Sequence, residues 1–203
     1  MMEQFLEASE IIDWQHEAVL KQAHKLSEGL ESKVEIARRC FEWVRDEIKH
    51  SFDYQMNPVT CKASDVLHYK TGYCYAKSHL LSALLRANEI PAGLCYQRLS
   101  VDEKGAPYCL HGFNGIYLEE YGWYRIDPRG NKPSINTQFE PPGESLAFQL
   151  LFPDEEATFD GILPAPLPEV VEALNQYKTW DTVLENLPDI SWQQAEKYGL
   201  SRR

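Results

Sequence analysis

The stretch KTGYCYAKSHLLSALLRANEIPAG, residues 70–93, carries the pattern from which the fold follows. Gly72 gives the backbone freedom before Tyr73 and Cys74. Ala76, Leu80, Ala83, Leu84 and Ala87 then recur at three- and four-residue spacing, which traces one face of a helix. Ile90-Pro91 marks its break. Cys74 is thereby predicted at a loop-to-helix junction, where first-turn N–H groups lack intrahelical acceptors and the positive dipole end favours a thiolate. The same amides can receive the negative charge of an acyl-transfer intermediate. A cysteine at a helix start can equally be a buried structural thiol.

Downstream, residues 92–99 read as a strand, 102–107 as a turn, and segments near 109–117 and 123–127 as two further strands. Period-two geometry puts Cys109, His111 and Phe113 on one strand face and Leu110 and Asn114 on the other. With a turn at 119–122, pairing of Tyr117 with Trp123 sets Asp127 near Phe113 and diagonal to His111. A two-residue shift sets it opposite His111, and both registers keep the two residues on one face. The imidazole then either faces Cys74 across a cleft with Asp127 on its other nitrogen, or is a satisfied core histidine. Asp127 before Pro128 also serves as a turn or strand terminator.

Upstream, residues 10–27 read as a first helix marked by Ile11, Trp14 and Ala18. Ser32 caps a second that runs to about His50, with Val34, Ala37, Cys40 or Phe41, Val44 and Ile48 on its buried stripe. The segment SFDYQMNPVT reads as a loop, and residues 64–68 as a short helix. Past Asp127 prolines become frequent, but Ile135, Phe139, Phe148 and Phe159 argue against a disordered linker, and short helices are expected near 169–186 and 190–198. Helices followed by a strand meander define an α+β fold rather than repeated βαβ units. The expectation is one domain over 1–203, with a core at about 33–135 and residues 136–203 packed on it as an extension.

Composition narrows the function classes. The 203 residues are 43% hydrophobic and 12% aromatic, enough for a real core. The net charge of -11 disfavours a phosphate-backbone partner. Cys40, Cys61, Cys74, Cys95 and Cys109 form no CxxC pair, so free thiols are expected, with Cys40 and Cys95 as small buried hydrophobes. The opening MMEQFLEASEIIDW lacks the basic and apolar segments of a secretory signal, and no run approaches about 18 apolar residues. A soluble, cytoplasmic protein with no membrane partner is the resulting expectation.

The segment KTGYCYAKSHLLSALLRANEIPAG resembles the part of the transglutaminase-like family in which a glycine-led cysteine starts a helix ending before a GIPA-like turn. LHGFNGIYLEEYGWYRIDPRG, residues 110–130, resembles that family's histidine strand, aromatic strand and Asp-Pro ending. The resemblance covers about residues 33–135. It implies a papain-like, transglutaminase-like core with N-terminal helices, a nucleophile-bearing central helix and an antiparallel sheet. It also implies roles: Cys74 as nucleophile, His111 as general base and acid, Asp127 as the residue orienting the histidine. Phe113 and Tyr75 stand where family members often carry Trp, so the substrate class stays open.

That assignment leads to thiol-dependent acyl transfer on a peptide, protein or small-amide substrate. Hydrolysis of a peptide or isopeptide bond is the leading form, with glutamine transamidation or a catalytically inactive peptide-binding scaffold as alternatives. Tyr54, Gln55 and Tyr69 are candidates for a second oxyanion donor, and Phe113 and Trp123 for aromatic walls. No cofactor and no metal are expected: His79 lies outside any HExxH pattern, and Cys61, Cys109 and His111 lack metal-ligand spacing. The run 129–132 reads as a solvated turn. Oligomeric state is not legible.

Overall fold

The computed structural model describes residues 2–203. After a 3-10 turn at Glu3–Phe5 come α1 (Glu17–Ser27), α2 (Lys33–Glu47), β1 (Lys49–His50), α3 (Ser51–Tyr54), α4 (Ala63–Tyr69), β2 (Thr71–Gly72) and α5 (Cys74–Ala87). Then follow β3 (Ala92–Ser100), β4 (Tyr108–Leu118), β5 (Gly122–Ile126), β6 (Ala157–Thr158), α6 (Pro168–Gln176), α7 (Trp180–Leu184) and α8 (Trp192–Lys197). The expected α+β arrangement is present: helices first, then an antiparallel sheet in the order β5-β4-β3-β6.

α5 is the axis of the molecule. All its residues from Cys74 to Arg86 are buried, as expected for a helix enclosed by other elements instead of lying on a surface. Leu80, Leu81, Leu84 and Leu85 are fully enclosed, and each contributes about 2 kcal/mol of hydrophobic stabilisation. Several of its polar groups bond to other elements: Asn114 of β4 donates to Ser78 O at 2.9 Å and to Ser82 Oγ at 2.9 Å. The Arg86 guanidinium bonds the carbonyls of Glu7, Ala92 and Pro164.

Two helix boundaries differ from the sequence expectation. The first helix starts at Glu17, not near residue 10, because His16 caps it through a 3.3 Å bond from Ala18 N, while Ser9 and Ile12 close a separate turn. The second stops at Glu47. Lys49 and His50 leave the helix to pair in parallel with Thr71 and Gly72. Periodicity at Ile48 continues the helical pattern, but the ladder with a segment some twenty residues away overrides it.

In the sheet, Tyr117 pairs with Trp123 and Asn114 with Ile126, the first of the two even registers. Asp127 therefore follows the strand end on the same side as His111. β6, which carries no local strand signature, joins the far edge through Gln97 and Arg98 of β3.

Candidate active site

Cys74 leads α5 and is 7% exposed on the wall of a cleft of about 350 Å³. The preceding Tyr73 provides no side-chain cap, so the first-turn amides look outside the helix for acceptors. Cys74 N–H donates to Nε2 of buried His50 at 3.2 Å. His50 is brought there by its pairing with Gly72. Gly72 is needed for close approach, since a Cβ on it would lie 3.0 Å from Ala76 Cβ and 3.2 Å from Thr60 Oγ1.

His111, on β4, is held against α5 by Tyr75. The Tyr75 hydroxyl donates to Leu110 O, and its ring covers Gly112, where a Cβ would meet Tyr75 Cδ1 at 2.9 Å. His111 Nε2 lies 2.7 Å from Oδ2 of fully buried Asp127. Asp127 Oδ2 also accepts Ala147 N–H at 2.9 Å, and Oδ1 accepts Arg129 N–H at 3.0 Å. Phe148 stands edge-on to the imidazole, ring centres 4.9 Å apart.

The electrostatics of this cluster are strongly perturbed. Burial opposes a charged imidazole, but Asp127 and the Cys74 sulfur outweigh it and lift His111 from 6.5 to about 10. Burial likewise works against the Asp127 carboxylate, yet His111 and the amides of Ala147 and Arg129 hold it below 3.8. Cys74 and the His111 ring line the same cleft. The thiols of Cys40, Cys61, Cys95 and Cys109 are each pushed up to about 12, chiefly by burial.

The structure thus brings Cys74, His111 and Asp127 into one cluster. It does not bring the expected accessory residues. Tyr54 and Tyr69 are 56% and 45% exposed, and Gln55 closes α3 in a left-handed turn. None of the three lines the cleft, where His50 stands instead. Phe113 is fully buried behind His111. Trp123 packs on Phe5 and Tyr117. The aromatic lining is Phe148, from the extension, with Phe52, Tyr73 and Tyr75, joined by Leu99 and Leu110. Arg129, expected in a solvated turn, is 5% exposed and pairs with Asp53, which also receives Lys132 at 2.8 Å. His79 is a core residue, bonded to Cys61 O at 2.8 Å and pushed by burial down to about 4. Among the described residues no His, Cys, Asp and Glu group has the arrangement of a metal site.

A cysteine-led central helix packed on an antiparallel sheet is the papain-like arrangement of transglutaminase-like proteins. The transglutaminase-like superfamily matches residues 21–128, and the chain belongs to it. A candidate cysteine protease from Cytophaga hutchinsonii superposes with a TM-score of 0.51 at 21% identity, over 63% of this chain and 42% of that one. The periplasmic domain of TgpA from Pseudomonas aeruginosa gives 0.46 at 18% identity, over 63% and 46%. At these identities the likeness is one of fold, and the chain spans less than half the length of either. No curated protein matches the sequence.

The cytoplasmic expectation is corrected by the TgpA structures, which are periplasmic domains. Among the described residues no helix is long and apolar enough to cross a membrane.

Proposed function

We propose that the chain is a thiol-dependent acyl-transfer enzyme that hydrolyses a peptide, isopeptide or small-amide bond. Cys74 is the nucleophile, His111 the general base and acid, and Asp127 the residue that orients the ring. The observation that carries this reading is the buried His111–Asp127 pair, at 2.7 Å, opening onto the cleft of a helix-leading cysteine. Asp127 occupies Nε2, which leaves Nδ1 to exchange a proton with Cys74. Sγ bonds to the substrate carbonyl carbon as the π pair moves to oxygen. The C–N bond then breaks, the amine leaves with the proton from His111, and a thioester remains. Water deprotonated by His111 completes hydrolysis, and an amine in its place gives transamidation. In this reading residues 1–203 act as one domain, and the extension is part of the site through Ala147 and Phe148.

The test is alkylation by iodoacetamide at neutral pH, with labelled cysteines mapped by mass spectrometry. Cys74 should react about tenfold or more faster than free cysteine and lose that advantage in His111→Ala, while buried Cys40 and Cys95 stay unlabelled. Labelling of Cys74 at the rate of an ordinary surface thiol would refute the assignment. Amide and peptide substrates should then leave an acyl group on Cys74, and added amines should divert it only if transamidation is the activity.

A further inference from the structure

Within that reading, on which this inference rests, one buried side chain at the nucleophile has no role. We propose that His50 is the second oxyanion donor, a neutral imidazole that accepts from the Cys74 amide at rest and presents Nε2–H to the substrate oxygen during acyl transfer.

The argument starts from position. The carbonyl oxygen of an acyl group attacked by Sγ comes to the first-turn amide of the helix that bears the sulfur. That amide is already directed at His50 Nε2, 3.2 Å away, so an oxygen bound by it lies beside the same ring nitrogen. The ring is fixed in place. His50 is 6% exposed, its backbone is held by pairing with Gly72, and the Tyr73 ring meets it edge-on at 5.4 Å. It lines the cleft together with Cys74 and His111.

Protonation follows from hydrogen bonding. Nε2 accepts from Cys74, so the single proton of a neutral imidazole sits on Nδ1 at rest. Nδ1 is buried and has no hydrogen-bond partner among the described residues. The nearest carboxylate oxygen, Asp53 Oδ2, is 3.9 Å away and is engaged by Arg129. A ring nitrogen with no partner for its proton holds that proton weakly. Burial, then Arg129, Lys77, His111 and Lys132, disfavour a second proton, so the ring stays neutral. The tautomer with its proton on Nε2 instead of Nδ1 carries the same net charge. Nδ1 is then left as a lone pair in the field of Arg129 and Lys132, which favours it electrostatically.

In the reacting complex the Sγ–C bond forms and the carbonyl π pair becomes the oxyanion. Cys74 N–H and His50 Nε2–H donate to it, while the thiol proton resides on His111. Collapse of that oxyanion expels the amine, which takes the His111 proton, and His50 regains its bond from the Cys74 amide. The arrangement requires only a change of tautomer and a small rotation of the Cys74 amide and the His50 ring toward the oxygen.

Two reagents separate this role from the nucleophile itself. Iodoacetamide alkylates sulfur without forming an oxyanion, whereas p-nitrophenyl acetate acylates it through one and releases nitrophenolate. In His50→Leu, alkylation of Cys74 should stay within about threefold of wild type, whereas acylation should fall about 10²–10³-fold, the effect of removing one oxyanion donor. His50→Gln, whose amide supplies an N–H, should restore acylation to within about tenfold of wild type. Equal acylation by His50→Leu and wild type overturns the donor assignment alone. So does a parallel loss of alkylation and acylation in both variants, because His50 would then support the thiolate or the fold. Slow alkylation of wild-type Cys74 instead overturns the nucleophile reading, and the role of His50 falls with it.

Discussion

Replacing Asp127 by Asn and by Ala should have different consequences that follow from its three hydrogen bonds. Oδ2 accepts from both His111 Nε2 and Ala147 N, and Oδ1 accepts from Arg129 N. An asparagine has one oxygen. Placed at the Oδ2 position it keeps His111 and Ala147 and turns its NH2 against Arg129 N–H, one orphaned buried donor at about 1–3 kcal/mol. The opposite rotamer would orphan two. Both variants lose the buried ion pair, at about 3–5 kcal/mol, and alanine orphans all three donors where asparagine orphans one. Urea unfolding near pH 6 should therefore rank wild type above Asp127→Asn and that above Asp127→Ala.

The advantage of wild type over Asp127→Asn has a defined pH window. The His111 pKa is raised from 6.5 to about 10 in the folded state, so its contribution is full below 6.5 and is lost as pH rises through about 10. The Asp127 pKa is depressed below 3.8, so its contribution is full above 3.8 and is lost as pH falls through the depressed value. Both describe one interaction, counted once. The difference should peak between 3.8 and 6.5 and fade toward both extremes. Equal stability of Asn and Ala variants, or a difference that grows above about pH 10, would refute the geometry.

Three other perturbations probe how the site is supported. Lys77 is enclosed, donates to Arg45 O at 3.2 Å and Ile48 O at 2.5 Å, and is driven by burial from 10.5 down to about 7. The unfolded chain binds more protons between those values, so wild-type stability relative to Lys77→Met should rise by roughly 3–5 kcal/mol across that window. Urea unfolding at both ends measures this, and a flat difference would contradict it. Glu156 is buried and receives the amides of Ser100, Leu151 and Phe152. Glu156→Gln loses at least one of these, and limited proteolysis should cut residues 144–156 several-fold faster, with an unchanged pattern counting against the staple. Gly112→Ala pushes a Cβ into Tyr75. It should cost about 1–3 kcal/mol in thermal unfolding and slow alkylation of Cys74, whereas an unaffected alkylation rate would uncouple Tyr75 from the site.

The central helix, the Ser32 cap and the three long strands were legible because the periods, 3.6 and 2, and the capping residue are written in neighbouring residues. Cys74 at a helix start, and His111 and Asp127 on one strand face, follow from those periods together with the turn at 119–122. The ordered Cys, His and Asp-Pro segments added the family. Tertiary structure alone decided the rest, because each remaining contact joins residues with no spacing rule between them. His50 reaches Cys74 across 24 residues through a parallel pairing that interrupts a good helical pattern. Ala147 reaches Asp127 across 20, from a proline-rich segment without strand or helix periodicity. Arg129 looks solvated by composition and is buried because Asp53, 76 residues away, neutralises it. Cys74, first read from its place at the head of α5, thus owes its cleft and the partner of its amide to chain segments whose local sequence points elsewhere.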